Sequence, residues 1–397
     1  MRQLIVLLPS LAIGAACSGD PATTRQGTPG GSDSGDDSGD PVAEGCHATP
    51  LADESDRLLL VSFPYDSDFE TSDLWGAARL GQDGALTTID VELSLGRTTG
   101  RVGAFTPDGA FGYVTTDMGL LSTVSVGDDG LPSAIAAEVD AGLYAEALLV
   151  HPSGEWLLAT DGNWPDNGGG LYRLPIDCDT GLLGPAERLF EAKNPAGLAR
   201  RPGTIDQYVF YGREVPGTAS GTNLHLVDLS TSPATILSSV AAFPDEDAIV
   251  SDLAFDHDGG SVLVADHSEW TGNPTRIAAV AVEGDALRLT GTLEVEDPMD
   301  LVAAPWSGGG MLVLSGYGDA VWALDRSGDT WAVGDKVASS ALPAAAVVVT
   351  AGPQRGRVLL AEVNGLRAID LPEAGGADDR GIVAEWDALP WGLALRD

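Results

Sequence analysis

"FTPDGAFGYVTTD" (105–117) reads as a strand, a tight turn and a second strand. Pro107 presets one backbone angle, Asp108 can bond its own backbone, and Gly109 can take the left-handed conformation. The same spelling returns as "VHPSGEWLLATD" (150–161) and as "FDHDGGSVLVAD" (255–266). A hairpin written three times marks a repeat architecture, in which each unit buries its apolar faces against its neighbours.

Working outward, short apolar and β-branched runs alternate with Gly, Asp and Pro from about residue 51 onward, and no stretch holds a helical period. Inner-strand starts fall near "RVGAF" (101), "ALLV" (147), "GLARR" (197), "DLAF" (252), "DLVAA" (300), "AAVVV" (344) and "WGLAL" (391). The gaps of 46, 50, 55, 48, 44 and 47 residues each suit four strands. The pattern predicts an all-β fold over 51–397: a seven-bladed β-propeller of four-stranded antiparallel blades. "WGLALRD" (391–397) is an inner strand with nothing after it, and "RLLLVSFPYD" (57–66) is a second strand with nothing before it. Joining them would close the ring and remove the open sheet edges.

The stretch Tyr113–Val114–Thr115, with Asp117 near the place of an Asn, resembles the surface-layer repeat whose signature reads Tyr-Val-Thr-Asn. The "F-x-P-D-G-x-x-x-Y-V" spacing is similar to that of lactonase-like, WD40-like seven-bladed propellers. The resemblance implies the fold and not an activity, because such propellers host enzymes, binders and structural proteins. In lactonase-like relatives, acidic and basic groups near the channel mouth serve binding or hydrolysis.

The N-terminus has the layout of an export signal. "MRQ" is a positive n-region and "LIVLLPSLAIGAA" (4–16) is an apolar h-region too short to span a bilayer. It ends in "GAAC", resembling a bacterial lipoprotein signal with Cys17 as the lipidated first mature residue. Gly14 stands where such signals prefer Leu, and small residues at Gly14 and Ala16 also suit an ordinary signal peptidase. Ser18 after the cysteine implies sorting to the outer membrane, so the protein is expected to be an exported, membrane-anchored lipoprotein. Residues 1–16 are then the signal. Residues 17–50 form a lipidated tether rich in Ser, Gly and Asp that cannot build a core. Cys46 and Cys178 remain as an even pair in an oxidising compartment, with a disulfide or two free thiols as the alternatives.

Charge narrows the partners. Of 397 residues, 59 are acidic and 21 basic, a net charge of −38. Only six of those acids lie in 18–46, so the folded part itself is anionic. Such a surface repels phosphate backbones and argues against nucleic-acid binding. It favours a soluble monomer.

No G-x-S-x-G elbow, H-E-x-x-H, P-loop or C-x-x-C occurs in the sequence. "SDSGDDSGD" lacks the chelating Glu of a calcium loop. The connections after the second strand of each blade offer more. Long ones are expected at 64–75, 161–170, 212–223 and 266–275, the last three on consecutive blades. Asp161 with Trp164, and Asp266 with Trp270, repeat one layout suited to stacking on a sugar ring or peptide side chain. His267, Glu269, Arg213 and Glu214 would border that rim. The alternative is that each Trp caps a blade gap and each Asp closes a turn. A second candidate site is the channel mouth, with Arg101, Glu146, Asp252, Asp300 and Trp391 at the inner-strand starts. Its carboxylates could hold a divalent cation such as Ca2+ or act as acid and base. The alternative is turn-ending acids around a water-filled channel. The function expected from these features is an envelope-anchored binding module for a glycan or envelope protein, without a cofactor. The alternative is a lactonase-like hydrolase.

Overall fold

The computed structural model describes residues 43–66, 70–96, 103–115, 120–140, 145–162, 169–244, 248–267, 275–306, 310–363 and 365–397. The described residues belong to one compact unit. It is all-β: seven antiparallel sheets form the blades of a propeller ring.

The first blade holds β1 (Arg57–Asp66), β2 (Thr71–Leu80) and β3 (Leu86–Ser94). The second holds β4 (Gly103–Phe105), β5 (Phe111–Thr115), β6 (Leu120–Val126) and β7 (Pro132–Asp140). The third holds β8 (Ala145–Val150), β9 (Trp156–Asp161), β10 (Gly170–Pro175) and β11 (Glu187–Glu191). The fourth holds β12 (Lys193–Arg200), β13 (Gln207–Arg213), β14 (Leu224–Asp228) and β15 (Thr235–Val240). The fifth holds β16 (Val250–Phe255), β17 (Ser261–Asp266), β18 (Arg276–Glu283) and β19 (Ala286–Glu294). The sixth holds β20 (Pro298–Ala303), β21 (Met311–Ser315), β22 (Ala320–Ser327) and β23 (Thr330–Ser339). The seventh holds β24 (Ala345–Val348), β25 (Arg357–Glu362), β26 (Gly365–Asp370) and β27 (Asp378–Ala384), and the chain ends in β28 (Ala388–Leu389) and β29 (Leu393–Arg396).

The inner strands β4, β8, β12, β16, β20, β24 and β29 each neighbour the next, and β29 returns to β4. The expected starts at 101, 147, 197, 252, 300, 344 and 391 fall within five residues of these strands. Closure follows the expected pairing. Leu58, Leu59, Leu60 and Val61 of β1 pair antiparallel with Arg396, Leu395, Ala394 and Leu393. Beyond them the Gly392 N–H donates to Ser62 Oγ at 2.7 Å, and the Trp391 N–H donates to Ser62 O at 3.0 Å. Arg57, 3% exposed, closes the far end by donating from Nε to Asp397 Oδ1 at 2.7 Å.

Strand alternation explains why the repeat needs a ring. Successive side chains on a strand point to opposite faces. Leu58 and Leu60 pack toward the second blade with Val114 and Val124, whereas Leu59 and Val61 pack toward the seventh with Leu359 and Ala361. Among the described residues, seven such apolar clusters fill the seven gaps between blades. The opening hairpin takes its part here. Gly109 has φ +68°, its N–H donates to Thr106 O at 2.7 Å, and the Ala110 N–H donates to Asp108 Oδ1 at 3.0 Å. A Cβ on Gly109 would meet the Arg396 side chain. Tyr113, fully buried, donates its hydroxyl to Gly181 O of the third blade at 2.9 Å.

Two expectations change. The segment 64–75 is mostly strand, because Tyr65 pairs with Thr71 and β1 and β2 together take up 64–66 and 71–75. Residues 43–50, assigned to the tether, lie against the body. Cys46 is bridged to Cys178 with Cα atoms 5.7 Å apart, so the pair is a disulfide and not two free thiols. His47, 7% exposed, sets Nδ1 2.7 Å from Asp108 Oδ2, and the Leu51 N–H donates to Pro107 O at 3.0 Å. The arm thus straps the turns at 106–110 and 151–155.

Deleting 388–397 strips β1 of β28 and β29, its partners on the channel side, and opens two apolar clusters. We expect that deletion to abolish cooperative unfolding, and deletion of 1–42 to leave the thermal midpoint unchanged, both read by circular dichroism.

Candidate functional site at the channel mouth

At the end of the ring where inner strands begin and second strands finish, the channel opens into a cavity of about 860 Å³. The turns at 106–110 and 151–155, and the arm strapped over them, lie at the opposite ends of β4 and β8. The cavity wall has three recurring parts.

The first part is a left-handed residue followed by proline at the lead-in to an inner strand. Asn194 (φ 45°), Asp297 (φ 43°) and Leu342 (φ 49°) precede Pro195, Pro298 and Pro343, and all of these but Pro298 line the cavity. Non-glycine residues seldom hold this conformation, and a bulky one such as Leu342 does so only when its surroundings force it. Asp319 supplies part of that force, because its Oδ1 accepts from the Leu342 N–H at 2.9 Å. Proline presets its own angle but gives no N–H, so the bend carries no lost ladder bond.

The second part is a clamp between adjacent inner strands. Asp252 Oδ2 accepts from the Leu301 N–H of the next blade at 2.9 Å. Asp300 repeats the move one blade on: its Oδ2 accepts from the Ala346 N–H at 2.7 Å, while its Oδ1 accepts from the Leu301 N–H at 2.9 Å. Inner-strand N–H groups that face the channel have no further strand to pair with, and these carboxylates satisfy them.

The third part is the residue just after each second strand. Gly162 and Gly316 hold this place in the third and sixth blades, and His267 holds it in the fifth. A Cβ on Gly162 would come within 2.7 Å of Glu146 Oε1, so the glycine leaves room for that carboxylate. His267 instead fills the space, with Nδ1 3.8 Å from Asp297 Oδ1, within ion-pair reach and beyond hydrogen-bond length. Asp297 Oδ2 accepts from the Tyr317 N–H at 3.0 Å. Tyr317 is 66% exposed at the lip.

The sequence candidates divide by this geometry. Glu146, Asp252, Asp300, Trp391 and His267 all line the cavity. Asp252 and Asp300 are engaged in the clamps, a role that neither the reading as channel-mouth site residues nor the alternative of turn-ending acids had given them. Asp161 and Asp266 are buried, at 1% and 0% exposure, so neither offers an open acceptor beside a rim tryptophan. Asp266 instead accepts from the Ile249 N–H at 3.0 Å and stands 3.4 Å from Arg276 Nε. Such a last strand residue lies beneath the lead-in to the inner strand, which is why a carboxylate there is used internally. Arg213 donates from Nη2 to Ala248 O at 2.9 Å, and Glu214 holds an exposed pair with Lys193 Nζ at 2.6 Å. Arg101, Trp164, Glu269, Trp270 and Cys17 lie outside the described residues. Asp297, Tyr317 and Leu342 were not singled out from sequence. The signal that could have found them is the repeated residue-Pro pair ahead of an inner strand.

The rim connection 214–223 is anchored from below. His225, fully buried, donates from Nε2 to Gly212 O at 2.8 Å, with Nδ1 2.8 Å from Ser239 Oγ. Burial pushes its pKa down to about 4, so it is neutral in the folded protein. Among the described residues, no three or more His, Cys, Asp and Glu side chains converge to hold a metal ion.

No protein-family model and no curated protein matches the chain. Solved structures do. One from Bacteroides uniformis, described as "a putative 6-phosphogluconolactonase", shares 14% identity at TM-score 0.63, covering 86% of this chain and 99% of its own. A Bacteroides fragilis protein of the same description gives 13%, 0.61, 88% and 100%. A hypothetical selenium-binding protein from Sulfolobus tokodaii gives 10%, 0.63, 89% and 97%. At such identities the likeness extends to the fold alone.

Two outcomes check this account. Asp300→Ala strands the Ala346 N–H, while Asp252 still accepts from the Leu301 N–H, and should lower the unfolding free energy by about 2 kcal/mol, with Asp300→Asn losing less, in chemical denaturation. The depressed His225 pKa means that its stabilisation is complete above about pH 6.5 and is lost as pH falls through about 4. That contribution amounts to about 3 kcal/mol, and His225→Gln should flatten this stretch of the stability–pH profile.

Proposed function

We propose that the protein is an exported, lipid-anchored binding module whose ligand enters the mouth of the central channel. The observation that carries this reading is where strain collects. Among the described residues, three of the five non-glycine positions with positive φ line this cavity. Such conformations cost about 1–3 kcal/mol each, persist only where the surrounding structure forces them, and cluster at active sites and ligand clamps. The volume of about 860 Å³ falls within the range of small-molecule sites. The wall is mixed, with apolar side chains such as Ile249, Met299 and Leu342 set among the polar groups named above. The signal-like N-terminus and Cys17 support export and anchoring at the outer membrane, and the long connections on the third to fifth blades would frame the mouth.

A second reading is a hydrolase, favoured by the approach of His267 to Asp297 on the cavity wall, where a histidine oriented by a carboxylate could serve as a base. The Bacteroides neighbours' description points to a phosphorylated sugar lactone as one substrate to try. The wall opposes that substrate: Glu146, Asp252, Asp297 and Asp300 line it, and among its described residues there is no Lys or Arg.

Retention on immobilised glycans and envelope extracts tests the first reading. Leu342→Gly relieves the strained backbone and should leave stability within about 1 kcal/mol of the parent. The same variant, and Tyr317→Ala, should cut retention severalfold. Unchanged retention in both would remove the mouth as the site. A lactone and ester screen, with and without calcium, tests the second; turnover lost in His267→Ala would establish it, and no turnover by the parent would end it.

A further inference from the structure

Resting on the reading of the protein as anchored through its N-terminus, we infer that the strap at Cys46 is a tension clasp: it carries pull from the tether into the third blade and keeps that pull off β1. Such a part suits a ligand at the mouth that is itself fixed to another body, because only a fixed ligand draws on the anchor. The path of a pull follows from the covalent connections. The chain enters the body at the arm, and its first blade strand is β1, which completes the ring by pairing with β2 on one side and with β28 and β29 on the other. Without a second route, a pull on the arm reaches β1 through residues 48–56 and works on that pairing first. The Cys46–Cys178 bond is the second route, and it joins positions 132 residues apart.

The receiving end is firmly seated. Cys178 lies in the connection between β10 and β11, where Ile176 and Leu183 pair with each other and are buried in the cluster between the second and third blades. The Asp177 N–H donates to Leu182 O at 2.9 Å, and the Gly181 and Gly184 N–H groups donate to Asp177 O and Pro175 O, each at 2.8 Å. Gly181 O in turn accepts from the buried Tyr113 hydroxyl of the second blade. The non-covalent hold of the arm rests on His47, set against Asp108 and the Phe111 ring, and on the Leu51 N–H. Contacts of that kind contribute about 1 kcal/mol each. The strap lies at the end of the ring opposite the mouth, so a pull between tether and mouth passes through the ring from end to end.

Optical-tweezer recordings at fixed force test the inference on the full chain, held between an N-terminal tag and a biotin placed at position 317 on the lip. The quantity read is the lifetime before first rupture, which the unfolding rate sets. Cys46→Ser should shorten that lifetime about tenfold, as a loss of about 1.4 kcal/mol from the barrier does, with the arm and β1 released first. His47→Ala should leave the lifetime unchanged while the disulfide is intact and shorten it in the Cys46→Ser background. A second geometry separates a clasp from a general stabiliser. Held between position 317 and the exposed Glu373, on a path that avoids the arm, Cys46→Ser should last as long as the parent. Equal lifetimes of parent and Cys46→Ser in the first geometry, or an equal loss in both geometries, overturn the inference. The mass of the mature N-terminus tests the anchored reading apart from this: a Cys17 without lipid ends that reading, and the clasp's role with it, whatever the lifetimes are.

Discussion

Everything in this protein depends on the need of each blade to bury two apolar faces at once. A four-stranded sheet with leucines and valines on consecutive positions, as at Leu58 to Val61, cannot satisfy both faces alone. It needs a neighbour on each side, and only a closed ring supplies neighbours to every member. The pairing of β1 with β29 is therefore more than a local contact. It joins the chain ends, seals the clusters on both sides of the first blade, and brings Trp391 to the channel.

Closure has a geometric consequence at the centre. Seven inner strands converging on one axis leave a row of N–H groups without a further strand. The protein answers with Asp252 and Asp300, each reaching to the next blade. The lead-in segments must turn sharply into the channel, and three do so through a left-handed residue and a proline. Clamps and bends together make a wall whose backbone is fixed by contacts within the protein itself.

The strap at Cys46 and His47 works at the other end of the ring. It ties the arm across the turns of the second and third blades, where the repeated hairpin spelling first appears. One end of the channel is thus held by structural contacts, and the other carries the cavity. The buried, neutral His225 belongs to the same economy of fixed parts, since it holds the base of a rim connection through Gly212.

The sequence by itself determined the blades, their number and the manner of closure. Those features follow from period-two alternation and turn chemistry, which are local and recur at about 50-residue intervals. It also placed Glu146, Asp252, Asp300 and Trp391 near the centre, because inner-strand starts can be counted along the chain, whereas it assigned His267 to the rim. Only the tertiary structure decided what those residues do. Asp266 and Asp161 share a spelling with open acceptors, yet their burial depends on the segment that crosses above them. The clamp of Asp300 depends on a backbone 46 residues away, and the meeting of His267 with Asp297 depends on two blades touching. Tyr317 gave no pattern at all, since exposure at the lip of a cavity is a property of the closed ring and not of any stretch of chain.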